Sequence, residues 1–103
     1  KGNEIMLHIV NKSPLDRNSL DTCLATAQPG GALLLIEDGV YAATSGNAAA
    51  KLKQAMGQLK VYALKPDLEA RGMADRVLEG VNLIDYGGFV DLVTEHTTCQ
   101  SWL

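Results

Sequence analysis

The stretch Gly31 to Ala43 constrains this chain more than any other. Ala32 to Ile36 is an unbroken apolar run followed at once by Glu37-Asp38-Gly39. A short apolar run bounded by turn residues reads as a strand covered on both faces, as in a parallel sheet between layers of helices. Ligand and partner sites of open α/β sheets gather at the carboxyl ends of the strands. The run therefore sets an architecture and points to the edge where function is expected.

The periodicities on either side agree. Met6 to Val10 reads as the first strand, and Asn11 to Asn18 as a loop punctuated by Pro14. Ser19 is the expected cap of a helix reaching Ala27, in which Leu20, Cys23, Leu24 and Ala27 share a face. Pro29-Gly30-Gly31 closes it. After the second strand, Asp38 is placed to cap a short helix over Gly39 to Ala43. Asn47 is placed to cap a longer one to Met56, with Ala48, Leu52, Ala55 and Met56 inward and Gly57 at a left-handed C-terminal position. Lys60 to Leu64 is the third strand. Lys65 is expected extended ahead of Pro66, which opens a short helix ended by Gly72. Val81 to Ile84 is the fourth strand. Asp85 caps a last helix with Phe89, Leu92, Val93 and His96 on one face, and the tail from Thr97 adds a strand ending in Trp102. Strands alternating with helices predict parallel pairing with right-handed crossovers. The expected fold is one three-layer α/β/α domain over residues 6–103, with a mainly parallel open sheet of four to five strands. Residues 1–5, ahead of Met6, are read as an added or alternative start without function.

With 103 residues, 47% hydrophobic but only 5% aromatic, packing must rest on aliphatic and small side chains. A domain this small has little spare stability, and an oligomer is a natural place to hide aliphatic surface. The net charge of -3 and the scattered Lys and Arg argue against a nucleic-acid surface. No apolar stretch is long enough to span a membrane and no signal peptide is legible, so the expectation is a cytoplasmic protein. Cys23 and Cys99 form no CxxC or zinc spacing and are read as free thiols. Nothing calls for a metal or cofactor.

Cys23 is the sharpest candidate for chemistry. It lies in the second turn of a helix near the carboxyl edge, and a helix N-terminus favours the thiolate. It also lies on the stripe of Leu20 and Leu24, where a free cysteine is simply packed. Both readings fit the sequence. Cys99 is read as a neutral tail thiol. Glu37 and Asp38 are adjacent, so they project apart and make a poor acid-base pair. His8 reads as a satisfied core or interface residue, and His96 as a favourable helix C-terminal residue. Gly87-Gly88 suggests phosphate binding but lacks the full dinucleotide fingerprint and any P-loop lysine. Ser13 and Ser19 stand in no nucleophile-elbow context.

Taken in order, MLHIVNKSP at 6–14, RNSLDTCL at 17–24, LLLIEDGVYAA at 33–43, VYALKPDLEARG at 61–72, LIDYGGFVDLVTEH at 83–96 and QSWL at 100–103 resemble the DsrH/TusB family. The resemblance implies a DsrE-like open α/β sheet. It also implies assembly with DsrE/TusD-like and DsrF/TusC-like subunits in a heterohexamer, two copies of each. Such complexes pass sulfur between proteins as cysteine persulfide towards a downstream acceptor, and the main acceptor cysteine belongs to the DsrE/TusD-type subunit. One branch serves dissimilatory sulfur oxidation and the other 2-thiolation of the tRNA wobble uridine. Cys23 and the QSWL ending look closer to the DsrH branch, which sets the expectation of sulfur oxidation with Cys23 as the candidate persulfide thiol. A purely structural subunit, or a small enzyme working at the Glu37/Asp38 edge, are the rival readings.

Overall fold

The computed structural model describes residues 6–13, 19–27, 29–44, 46–96 and 98–102. The expectations for residues 1–5, for the Pro14 loop and for the two ends of the tail, Thr97 and Leu103, fall outside them.

Five strands form one parallel sheet: β1 (Met6–Val10), β2 (Ala32–Leu35), β3 (Lys60–Leu64), β4 (Asn82–Ile84) and β5 (Thr98–Trp102). Their spatial order is β4-β3-β2-β1-β5. All four residues of β2 are buried, as the unbroken apolar run requires. Alternation across the pleat divides the core in two. Val10, Leu33, Leu35, Val61 and Ala63 face helices α1 (Ser19–Thr26), α2 (Gly46–Ala55) and α3 (Lys65–Ala70), which bury Leu20, Cys23, Leu52 and Leu68 against them. Leu7, Ala32 and Leu34 face the other way, where α4 (Tyr86–Glu95) supplies Leu92. The result is the expected α/β/α sandwich, with one face covered by several helices and the other by one.

That asymmetry follows from handedness. The steps from β1 to β4 all move one way across the sheet, so right-handed crossovers lay α1, α2 and α3 on one face. The step from β4 to β5 runs back past the whole sheet and puts α4 on the opposite face.

The element ends depart from expectation at several points. Strand β2 stops at Leu35, and the chain turns through Glu37 at φ +50 into a 3-10 helix over Glu37–Ala43. Asp38 is thus inside the first turn and makes no cap; the residue in the cap position is Ile36, whose side chain makes no such bond. Helix α2 opens at Gly46, φ +84, which moves Asn47 into the helix. Gly57 is not among the positive-φ glycines, because α2 closes with the amides of Gln58 and Leu59 both on the Ala55 carbonyl. Ser19 is the first residue of α1 rather than its cap. Lys65 is the first residue of α3 and Pro66 the second. A proline there forfeits nothing, since the first amides of a helix have no intrahelical acceptor. A short 3-10 turn at Ala74–Arg76 had no expectation.

Two expectations hold in detail. Gly72 ends α3 at φ +68. Asp85 caps α4, its carboxylate accepting from the Gly88 amide at 2.8 Å.

Candidate functional site

The carboxyl ends of β1, β2 and β3 converge on the segment that follows β2. Gly39 lies directly over the end of β1: a Cβ there would stand 2.2 Å from the Val10 carbonyl oxygen. The same carbonyl accepts from the Ile36 amide at 3.1 Å. Only glycine allows this approach, and it fixes where Glu37 and Asp38 project.

Each acid is then held by a separate partner. The Glu37 amide donates to Asp67 Oδ2 at 2.6 Å, so α3 supplies the carboxylate that steadies the turn. Glu37 Oε1 accepts from Asn11 Nδ2 at 3.3 Å. Arg71 donates to Asp38 Oδ1 from Nε and approaches it equally with Nη2, both at 2.9 Å. Its Nη1 donates to the Asp67 carbonyl at 3.1 Å. This is a pinned corner in which Glu37 and Asp38 face different partners, with Arg71 the cation between Asp38 and Asp67. The geometry gives a two-carboxylate reaction no support. Arg71 was not singled out by the sequence; no motif marks it, and it meets Asp38 only through the β2-β3 packing.

The outgoing helices of β3 and β4 leave on opposite faces, so the crevice outside these two strand ends is the switch point of the sheet. Its acids are engaged as well, Asp67 by Glu37 and Asp85 by Gly88. A Cβ on Gly88 would stand 2.9 Å from Ile84 Cβ. The Gly87-Gly88 pair thus serves close packing and a carboxylate cap, and the carboxylate occupies the place that a phosphate would take.

Cys23 lies mid-helix in α1 with no exposed surface, among the residues that bind α1 to the sheet. Burial pushes its thiol up to about 12. The thiolate fraction at neutral pH is then on the order of one in 100,000. The packed reading of this thiol draws support from that environment, and sulfur chemistry at Cys23 would require α1 to lift. Cys99 stands on β5 in register with Leu7, so it projects on the α4 side, while Cys23 lies on the α1 side. Cys99 is exposed, and both thiols are free.

His8 is 2% exposed. Its Nδ1 accepts from Trp102 Nε1 at 3.1 Å, which makes it a satisfied core histidine in the Nε2-H tautomer. His96 Nδ1 donates to the Leu92 carbonyl at 2.7 Å and so completes the end of α4. No three His, Cys, Asp or Glu residues among those described are placed to hold a metal ion. No described helix is long and apolar enough to cross a membrane.

Comparison with known proteins gives a consistent result. Residues 12–99 match the family model described as DsrH like protein. Protein TusB of Pectobacterium parmentieri is 41% identical over 97 residues, which is 94% of this chain and all of that protein. Protein TusB of Escherichia coli K12 is 39% identical over 98 residues, again 94% of this chain and all of that protein. Among solved structures, the ychN protein of E. coli superposes with a TM-score of 0.80 at 18% identity, covering 95% of this chain and 98% of that one. Tm0979 of Thermotoga maritima gives 0.64 at 26% identity, covering 88% and 93%.

Proposed function

This chain belongs to the DsrH/TusB family, and from that premise we propose that it is an accessory subunit of a complex that relays persulfide sulfur between proteins. The observation that carries the reading is likeness to TusB proteins over their whole length. The structure is compatible with an accessory role. Asp38, Asp67 and Asp85, at its strand ends, are engaged in holding the chain's own corner and helix start, and Cys23 is a protonated, packed thiol. Persulfide transfer needs a thiolate that attacks a sulfur-bearing cysteine. That chemistry fits better on a partner chain, with this subunit shaping the assembly around it. The partners are DsrE/TusD-like and DsrF/TusC-like subunits in a heterohexamer, in the cytoplasm.

Two outlets for the sulfur are proposed. Cys23 and the QSWL ending favour dissimilatory sulfur oxidation. The TusB names of the relatives favour 2-thiolation of the tRNA wobble uridine. Co-expression with the two partner subunits tests the assembly: one stable species holding all three chains is expected, and a chain that stays monomeric beside both would overturn the reading. Restoration of tRNA 2-thiouridine in a strain lacking its own TusB separates the outlets, since a sulfur-oxidation subunit would leave the modification absent.

A further inference from the structure

Helix α4 buries Leu92 against the sheet but leaves a second apolar stripe outward. Tyr86 is 59%, Val90 60% and Val93 40% exposed, at the i, i+4, i+7 spacing that lines one side of a helix. Phe89, Val90, Val93 and Thr94 line a shallow cleft of about 160 Å³. Leu83, also exposed, lies on β4 in register with Ala63 and so belongs to the other face of the sheet.

The formal charge that α4 itself carries has one sign, and Lys60, on β3, meets only its far end, where it shares a cleft with Glu95 and His96. Arg76 is the last Lys or Arg of the sequence, and residues 77–103 carry Glu79, Asp85, Asp91 and Glu95. Asp91 follows Val90 by about 100° round the helix, and Glu95 lies one turn beyond it on the same flank. The rest of the chain holds every Lys and Arg and is close to neutral. The apolar stripe is therefore edged by carboxylates without a cation on the same helix.

We propose that the outer face of α4 is the surface by which this chain docks a different protein, one presenting an apolar ridge flanked by Lys or Arg. Charge complementarity selects that occupant. A second copy of this chain, packed α4 to α4 about a two-fold axis, would set Asp91 and Glu95 of both copies on one seam with no Lys or Arg on either helix to offset them, Lys60 lying only beside Glu95. Tyr86, large and amphipathic, is the anchor, since aromatic residues dominate such interfaces. The inference rests on the relay reading for the partner's identity: it assigns α4 to the contact with one of the two related subunits.

The experiment uses the full chain and the co-expressed subunits. Val90→Arg is expected to weaken association at least about tenfold by placing a cation where an apolar ridge with basic flanks must seat. The pair Asp91→Lys with Glu95→Lys is expected to weaken it less and to remove most of its salt dependence. Lys51→Glu, on α2 across the sheet, is expected to leave it unchanged. Circular dichroism melting checks that each variant folds, and Tyr86→Ser with unaltered melting serves if Val90→Arg does not. Association of the folded variants at the wild-type affinity overturns the inference and leaves the relay reading standing. Failure of the wild-type chain to associate overturns both. Self-association of the isolated chain that Val90→Arg abolishes would make a second copy the occupant, and overturns the choice made here.

Discussion

The indole of Trp102 donates to Nδ1 of His8 at 3.1 Å, joining two residues 94 positions apart and locking edge strand β5 onto β1. The bond exists only while Nδ1 carries no proton. The cavity beside His8 is lined by Met6, Thr26, Pro29, Gly31, Thr98 and Gln100, none of them charged. Burial accordingly lowers the histidine pKa from 6.5.

A pH dependence follows, with its sign set by linkage. Between the lowered folded value and 6.5 the unfolded chain binds a proton that the folded chain refuses. Stability is then full above 6.5 and declines as the pH falls towards and through the folded value. Denaturant midpoints taken from pH 7 to 5 are expected to drop steadily in the wild type and to flatten in His8→Gln. Equal slopes in the two proteins would show that His8 does not titrate against folding. Trp102→Phe is expected to cost about 1 kcal/mol, through the buried nitrogen left without its donor.

Gly39→Ala tests the contact that aims the segment after β2. Its new methyl group would stand 2.2 Å from the Val10 carbonyl oxygen, a backbone atom with no rotamer to change. A loss of about 3 kcal/mol is expected, at the upper end for overpacking. Gly30→Ala meets nothing within 4 Å and suffers only its positive φ, so a smaller loss is expected. Urea denaturation of the two variants in parallel measures the difference. A Gly39→Ala protein as stable as wild type would show that the turn can move off β1.

The order of strands and helices was legible because β1, β2 and β3 are rich in apolar residues and the crossover helices carry apolar stripes, whereas β5, Thr-Cys-Gln-Ser-Trp, has no such run. Helix starts were less legible. Asp38 and Asn47 have the chemistry of caps, yet the turns ahead of them close one residue sooner, through Glu37 and Gly46 at positive φ. Local propensity does not encode where a strand register forces the chain to bend. The pairings Arg71 with Asp38 and Trp102 with His8 were invisible for the same reason, since they follow from which strands become neighbours. Of Phe89, Leu92, Val93 and His96, read as one face of the last helix, Leu92 is buried with Phe89 packed beside it, Val93 is 40% exposed on the outward stripe, and His96 follows the helix in extended backbone. Periodicity reveals an apolar stripe without revealing whether this chain or another one covers it.

Arg71 and Asp38 form a half-exposed pair, 24% and 54% by side chain. Asp38→Ala is expected to cost up to about 1 kcal/mol, by loss of the Arg71 contact rather than of a helix cap. Arg71→Ala should cost somewhat more, because the Asp67 carbonyl loses a donor too. A double-mutant cycle is expected to return a coupling of about 0.5 kcal/mol, and one near zero would assign the effect of Arg71 to Asp67 alone. Neither change should abolish sulfur transfer by the assembled complex. Loss of transfer at unchanged melting would give the carboxylate a chemical role.

The two thiols make the sharpest test of what this subunit does with sulfur. Cys99 is exposed on an edge strand, and Cys23 is sealed beneath α1 with its thiol pushed up to about 12. An aromatic disulfide probe is therefore expected to label one thiol of the isolated chain quickly, and peptide mapping should find it at Cys99. Labelling of Cys23 is expected to wait for α1 to open, and so to accelerate with mild denaturant. Cys23→Ser should lower stability by about 1 to 2 kcal/mol, since the hydroxyl enters an apolar site. In the assembled complex loaded with a persulfide donor, the proposal that Cys23 carries sulfur expects an added 32-dalton mass on its peptide, absent from Cys23→Ser. That outcome would mean that partner binding lifts α1 and unmasks the thiol. An unmodified Cys23 beside a loaded partner cysteine would leave it a packing residue, and the contribution of this chain would then be the surface it presents.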